Sequence, residues 1–327
     1  MTNKKKSSKK SSEKSLQSSL MFALVVALAL FSLIGIAQTN PKNSVEKETK
    51  VLAQVSEKII EDSRPKLKEG VVWSESLSAR GVYAFDIDSG ETLFTKEEDN
   101  PILPASTTKL ATALVALQDY KLEDIVTIKN VKNISGNKMG LVLGEKITVR
   151  DLLYGLLIYS ANDAAYALAD YNSSGRGTFI LNMNILSQNL GLSKTHFTNP
   201  AGFDEYLHFS TAKDMANLAY QAVQNPIITQ IVSTSYAEVF SIDQKYVHKL
   251  VNTNHLLGKV QGVIGVKTGT TITSGESLIT MVDRDGKKII LSVLGSNDRF
   301  GESEKIIEWI YSNYSWGIVA AGVTSWE

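Results

Sequence analysis

From Pro104 to about Tyr120 the chain is apolar on nearly every helical face: Leu110, Leu114 and Leu117 recur at helical spacing, with small residues between them. A helix without a polar face has to be covered from several sides. The chain must therefore supply layers around it, and 327 residues with 43% hydrophobic content are enough to do so. The helix opens on Pro104-Ala105-Ser106-Thr107-Thr108-Lys109, with proline suited to a first turn. Ser106 and Lys109 share a helical face, one turn apart. A serine hydroxyl is a poor nucleophile without a base, and an unprotonated lysine can be that base. The pattern is weak by itself, because Ser-x-x-Lys begins at seven serines: 7, 11, 44, 63, 106, 135 and 210.

The layers can be read on either side of that helix. Gly81–Asp88 and Glu91–Lys96 read as a hairpin around Ser89-Gly90, so the folded part is expected to begin near Ser78. Ile125–Ile128 reads as a short strand, followed by an irregular, glycine-punctuated region to Lys146. Helical patterns follow at Thr148–Tyr159, Ala161–Tyr171, Arg176–Leu190 and Thr211–Gln224, with Gly191 ending the third. The period then changes to strands at Tyr246–Leu250, Ile264–Thr270, Glu276–Asp283 and Lys287–Gly295, and a helix over Glu302–Tyr314 closes the series. The expected fold class is α+β: one antiparallel sheet in which the first hairpin rejoins the late strands, flanked by helices, with a helical subdomain between.

The first 19 residues hold six lysines and one acid, and Leu20–Ala37 is uncharged over eighteen residues, roughly 27 Å of helix. This predicts a basic cytoplasmic segment (1–19), then a transmembrane signal anchor or a signal peptide cleaved after Ala37 (20–37). Residues 38–74 read as a charged stalk and 75–322 as the folded domain. The expected location is a cell membrane with the domain outside the cytoplasm, or secretion if the segment is cleaved. Without the first 19 residues the chain has 28 basic and 33 acidic residues, which gives no footprint for nucleic acid. There is no cysteine, so disulfides and thiolate metal sites are excluded. The histidines at 196, 208, 248 and 255 lack metal-ligand spacing and read as structural; no metal or cofactor is expected.

Two further motifs carry chemistry. Lys267-Thr268-Gly269 occurs once, on the strand Ile264–Thr270, where the glycine would let a substrate backbone approach. Alone, it can equally be the protective lysine of an edge strand. Ser160-Ala161-Asn162 lies at a helix junction, where Ser160 can simply be the N-cap of Ala161–Tyr171. Ser210 likewise reads as the cap of the helix that follows it, with Asp214 in the early turns.

Together, Ser106-x-x-Lys109, Ser160-Ala161-Asn162 and Lys267-Thr268-Gly269 resemble the motif set of serine enzymes that react with penicillin, in the right order and in suitable elements. The segments His196–Asp204, His208–Ala216 and Gly265–Thr270 are similar to those of the exported D-alanyl-D-alanine carboxypeptidases, and the resemblance covers roughly residues 75–320. It implies a β-lactamase/D,D-peptidase-like fold and an acyl-enzyme on Ser106, with Lys109 as base and Ser160 relaying the proton to the leaving D-alanine. It further implies that Asn162, Lys267, Thr268, Gly269 and Thr270 bind substrate, with the N–H groups of Ser106 and Thr270 as oxyanion hole. The implied partners are a peptidoglycan stem peptide ending in D-Ala-D-Ala and β-lactams as covalent inhibitors.

Many relatives carry a further β-rich domain and a C-terminal membrane helix; here attachment is expected through the N-terminal segment. Three rival readings share the motifs. A class A β-lactamase would need Ser-Asp-Asn in place of Ser160-Ala161-Asn162, and a deacylating glutamate for which Glu205 is the only nearby candidate. A D,D-endopeptidase would use the same residues. A non-catalytic sensor would not need Ser106, Lys109 and Lys267 intact.

Overall fold

The computed structural model describes residues 64–317. Segments 1–19 and 20–37, and most of the stalk, lie outside the described residues. Among those described, no helix is long and apolar enough to cross a membrane.

The chain enters through a short strand, β1 (Lys66–Leu67), and then forms the hairpin β2 (Gly81–Asp86) and β3 (Thr92–Lys96). A 3-10 turn over Ala105–Thr108 leads into helix α1 (Lys109–Asp119). Two short paired strands, β4 (Ile125–Thr127) and β5 (Lys146–Thr148), precede α2 (Val149–Leu157), α3 (Asn162–Tyr171) and α4 (Arg176–Asn189). Next come α5 (Ala212–Val223), α6 (Pro226–Val232) and a separate hairpin of β6 (Tyr236–Phe240) and β7 (Val247–Val251). Strands β8 (Val263–Thr271), β9 (Gly275–Arg284) and β10 (Lys287–Ser296), helix α7 (Arg299–Asn313) and strand β11 (Tyr314–Ser315) complete the described chain.

The main sheet has the antiparallel order β3-β2-β10-β9-β8, so the first hairpin does rejoin the late strands. The alternation of the pleat sorts its side chains between two cores. Tyr83, Phe85, Ile279, Ile290 and Leu294 face the core built by α1 to α6, whereas Val82, Ala84, Leu278, Leu291 and Val293 face α7. As its composition requires, α1 is enclosed: Leu110, Ala111, Ala113, Val115 and Ala116 are fully buried. Truncating Leu110 there would cost about 2–5 kcal/mol in lost transfer energy and cavity.

Four expectations need correction. Tyr246–Leu250 is not part of the main sheet; as β7 it pairs with β6, a strand that reading the sequence missed. The fold also begins before Ser78, inside the stretch read as a stalk. Lys66–Leu67 pair with Tyr314–Ser315, and the Trp73 ring meets Phe94 and Trp309 edge-on, 5.0 and 5.6 Å away. Helix α5 is capped not by Ser210 but by Thr211, whose side chain accepts from the Asp214 N–H. And Ser106 does not lie on an α-helix proper: it sits in the tighter 3-10 turn that precedes one.

Candidate active site

Helix α1 is anchored at its start from outside its own sequence. Thr107 Oγ1 donates to the Pro104 carbonyl (2.5 Å). His208 Nδ1 accepts from the Thr198 N–H (3.0 Å), so its other nitrogen carries the hydrogen and faces Thr108 Oγ1 at 2.9 Å. Burial, with His196 and Lys109 nearby, pushes the His208 ring down to about 4, which keeps it neutral in this role.

One turn on, the fully buried Lys109 reaches back. Its Nζ lies 2.7 Å from Ser106 Oγ and 2.6 Å from the Ala201 carbonyl. Its pKa is held well below the ordinary lysine value, first by burial and then by the charge of Lys267, while Asp163 acts in the opposite sense. A neutral amine can donate to the carbonyl and turn its lone pair to the serine hydroxyl. The Ala201 carbonyl is aimed by Asn199, whose Oδ1 accepts from the N–H groups of Ala201, Gly202 and Phe203 at 3.2, 2.7 and 3.0 Å. Gly202 is required there: its φ is +86°, and a Cβ would come within 1.8 Å of the Ala105 carbonyl oxygen.

Across the cleft stands a second serine–lysine couple. The Nζ of Lys267 lies 2.8 Å from both Ser160 Oγ and the Thr268 carbonyl. Strand β8 is the edge of its sheet, as a protective lysine would require, but Lys267 is buried and turned into the site. Burial and then Arg299 lower its pKa to about 7. Ser160 is not the N-cap of α3: that position belongs to Ala161, and Ser160 holds a left-handed φ of +61°. For a residue with a Cβ this costs of order 1–3 kcal/mol, and here it turns the hydroxyl toward Lys267.

The segment before β5 closes the third side. Asn162 donates from its backbone N–H to the Asn137 carbonyl and from Nδ2 to the Ser135 carbonyl, both at 2.7 Å. Asp163 accepts from the N–H groups of Met139, Gly140 and Leu141 at 3.0, 2.9 and 3.1 Å. The cavity so enclosed has a volume of about 320 Å³. Ser106, Ser160, Asn162, Thr268, Gly269 and Thr270 line it, with Lys109 and Lys267 buried behind their serines. All eight residues singled out in the sequence therefore meet in one place.

Reading the sequence missed three contributors. Arg299, at the start of α7, donates through Nη1 to the Gly269 carbonyl (2.9 Å) and touches Thr270 Oγ1. Thr253 Oγ1 lies 2.6 Å from Thr268 Oγ1, and Asn137 lines the cavity. None of them belongs to a motif; only Asn199-Pro200-Ala201-Gly202 had a local signal, as a turn.

A serine hydroxyl next to a depressed-pKa lysine, with a second serine–lysine couple opposite, is equipped for acyl transfer, and the fold and site define a serine-type peptidase. The chain belongs to the D-alanyl-D-alanine carboxypeptidase family of peptidases, whose pattern matches residues 69–298. It is 34% identical to the D-alanyl-D-alanine carboxypeptidase of Streptomyces sp. strain K15, over 73% of this chain and 89% of that one. It is 32% identical to D-alanyl-D-alanine carboxypeptidase DacF of Bacillus subtilis, over 72% of this chain and 63% of the relative's length. The crystal structure of the Streptomyces K15 DD-transpeptidase superposes with a TM-score of 0.69 at 34% identity, covering 74% of this chain and all of that one.

Proposed function

We propose that the protein is a serine-type D-alanyl-D-alanine carboxypeptidase acting on peptidoglycan stem peptides. Lys109 takes the Ser106 proton as Oγ attacks the carbonyl carbon of the terminal D-Ala-D-Ala bond. Ser160 passes a proton to the leaving nitrogen, and free D-alanine departs. Water then attacks the acyl-enzyme and releases the shortened peptide. The Ser106 and Thr270 N–H groups hold the oxyanion, a contribution of around 3 kcal/mol per donor in comparable sites. Asn162 orients the substrate backbone past Gly269. Lys267, Thr268 and Thr270 receive the terminal carboxylate, with the Arg299 guanidinium beside them; two basic groups on one side of a small cavity suit an anionic chain end. The observation that carries this reading is the 2.7 Å approach of a fully buried, charge-disfavoured Lys109 amine to Ser106.

β-Lactams mimic the same carbonyl and would acylate Ser106. A class A β-lactamase is disfavoured because Glu205 is exposed and does not line the cavity. Residues 20–37 would hold or export the domain across the cell membrane, bringing the cleft to its wall substrate. Incubation of the full-length protein with labelled penicillin and with a pentapeptide ending in D-Ala-D-Ala tests the assignment. Covalent label and D-alanine release are expected, both lost in Ser106→Ala. Label that survives this substitution would refute the role of Ser106. Rapid penicillin turnover without D-alanine release would indicate a β-lactamase, and label without either turnover a sensor.

A further inference from the structure

His248 on β7 and Glu145 just before β5 form a buried pair outside the cleft, their side chains 5% and 0% exposed. His248 Nδ1 lies 2.9 Å from the Met139 carbonyl and Nε2 lies 2.6 Å from Glu145 Oε1. The other Glu145 oxygen accepts from the Val142 N–H at 2.9 Å. A carbonyl can only accept, and so can an ionised carboxylate. A neutral imidazole has one N–H, so it can satisfy one of these partners while its bare nitrogen faces the other. The observed arrangement closes only when the pair holds one proton more than a neutral ring plus a carboxylate.

We propose that His248 and Glu145 are positioning residues for the active site, and that this extra proton latches segment 135–145 against α3. The connection to the cleft is continuous. Met139 is fastened by its carbonyl to His248 and by its N–H to Asp163. Two residues before it, the Asn137 carbonyl takes the Asn162 N–H, and the Ser135 carbonyl takes Asn162 Nδ2. Loss of the proton sets a nitrogen lone pair against an oxygen in a dry site, which frees this wall and releases Asn162. Every buried or part-buried acid that faces the ring favours the proton: Glu145, Asp163 and, from α2, Asp151. Burial alone would lower the His248 pKa, yet the hydrogen bonds to Glu145 and Met139 and the Glu145 charge leave it raised. The nearby Lys249 is exposed and sits 3.8 Å from Glu238. A raised histidine stabilises its contacts fully in acid and loses that contribution as pH climbs through the raised value.

Glu145→Gln separates the proton from the shape. A glutamine amide can donate to a neutral Nε2 while Nδ1–H donates to Met139, and its carbonyl still accepts from Val142. The wall then closes with no extra proton. The latch itself is read without reference to activity, by nitrogen NMR of His248 and hydrogen exchange of segment 135–145 in the full chain. In the wild type both ring nitrogens are expected to carry hydrogen at pH 6.5. Exchange protection, corrected for intrinsic rates, should then fall by up to about tenfold per pH unit above the transition. In Glu145→Gln the ring should be neutral at the same pH and the protection flat. A neutral wild-type ring beside an ionised Glu145 carboxylate at pH 6.5, the latter read by carboxyl carbon NMR, or equal pH-dependent loss in both proteins, overturns the proposal; the spectra decide even if the variant fails to fold. The kinetic consequence rests on the function proposed above: penicillin acylation should fall at high pH relative to pH 6.5 more steeply in the wild type than in Glu145→Gln. A working latch in a protein that penicillin does not acylate would leave the latch standing and remove that function.

Discussion

The two serine–lysine couples are built from the same parts and differ in what holds them. In each, a fully buried amine meets one serine hydroxyl and one backbone carbonyl, at 2.6 to 2.8 Å. Lys267 takes its carbonyl from its own neighbour, Thr268, and its serine from a strained residue at a helix junction. Lys109 takes its serine from its own turn, but its carbonyl from Ala201, 92 residues away. The environments differ as well: Lys109 feels Lys267, while Lys267 feels Arg299. Burial is the first cause of both depressed values, and in each case a neighbouring positive charge adds to it. Local chemistry is shared, and position along this line of charges separates a proposed base from a proposed anion holder.

Three substitutions test this contrast. The largest effect is expected from Gly202→Ala, which attacks only the first couple. Its Cβ has no room beside the Ala105 carbonyl, so the Ala201 carbonyl must shift away from Lys109. A displacement of about 1 Å at such a site costs roughly 100-fold in acylation rate. Normal acylation by a folded Gly202→Ala protein would show that the carbonyl does not position Lys109. Arg299→Leu attacks the second couple. Losing one charged donor should raise the KM for a carboxylate-ended peptide roughly tenfold. Without the guanidinium the Lys267 pKa should rise from about 7, moving the corresponding limb of the pH–rate profile to higher pH. A KM increase with an unmoved profile would break the link between Arg299 and Lys267.

The third effect concerns stability. Lys267 titrates near 7 in the fold and near 10.5 when unfolded, so between those values the unfolded chain binds the extra proton and stability rises with pH. Relative to Lys267→Met, the wild type should gain at most about 1.4 kcal/mol per pH unit in this window. Urea unfolding of both proteins at pH 6.5 and 8.5 reads the difference; a wild type that gains no stability relative to Lys267→Met between these two pH values would mean that Lys267 is not buried as a depressed amine.

What could be read in the sequence divides along physical lines. Strands β2 and β10 were legible as short apolar runs buried on both faces, helix α5 was legible because burial imposes period 3.6 on its side chains, and the turn Asp285-Gly286 marked the late hairpin. Helix α6 was missed because seven residues are too few for a period, although Asn225-Pro226 is a cap followed by a first-turn proline. The two-residue strands β1 and β11 are too short to show a pattern. At the site, motifs exposed the side chains that a chain segment carries in fixed spacing. They could not expose Arg299 or the Ala201 carbonyl, which the tertiary fold delivers, nor the left-handed backbone of Ser160, which no residue type announces.

The pairing of β2 with β10 has a consequence for how this molecule comes into being. Gly81 faces Leu294 across the middle of the sheet, 213 positions further along the chain. Closing a loop of that length costs entropy before any contact rewards it, so such topologies form slowly. Strand β8, which carries Lys267, reaches the sheet only through β9 and β10. A growing chain that has already wound α1 and placed Ser106 beside Lys109 still lacks the opposite wall. The second serine–lysine couple is therefore complete only once β8 has joined the sheet.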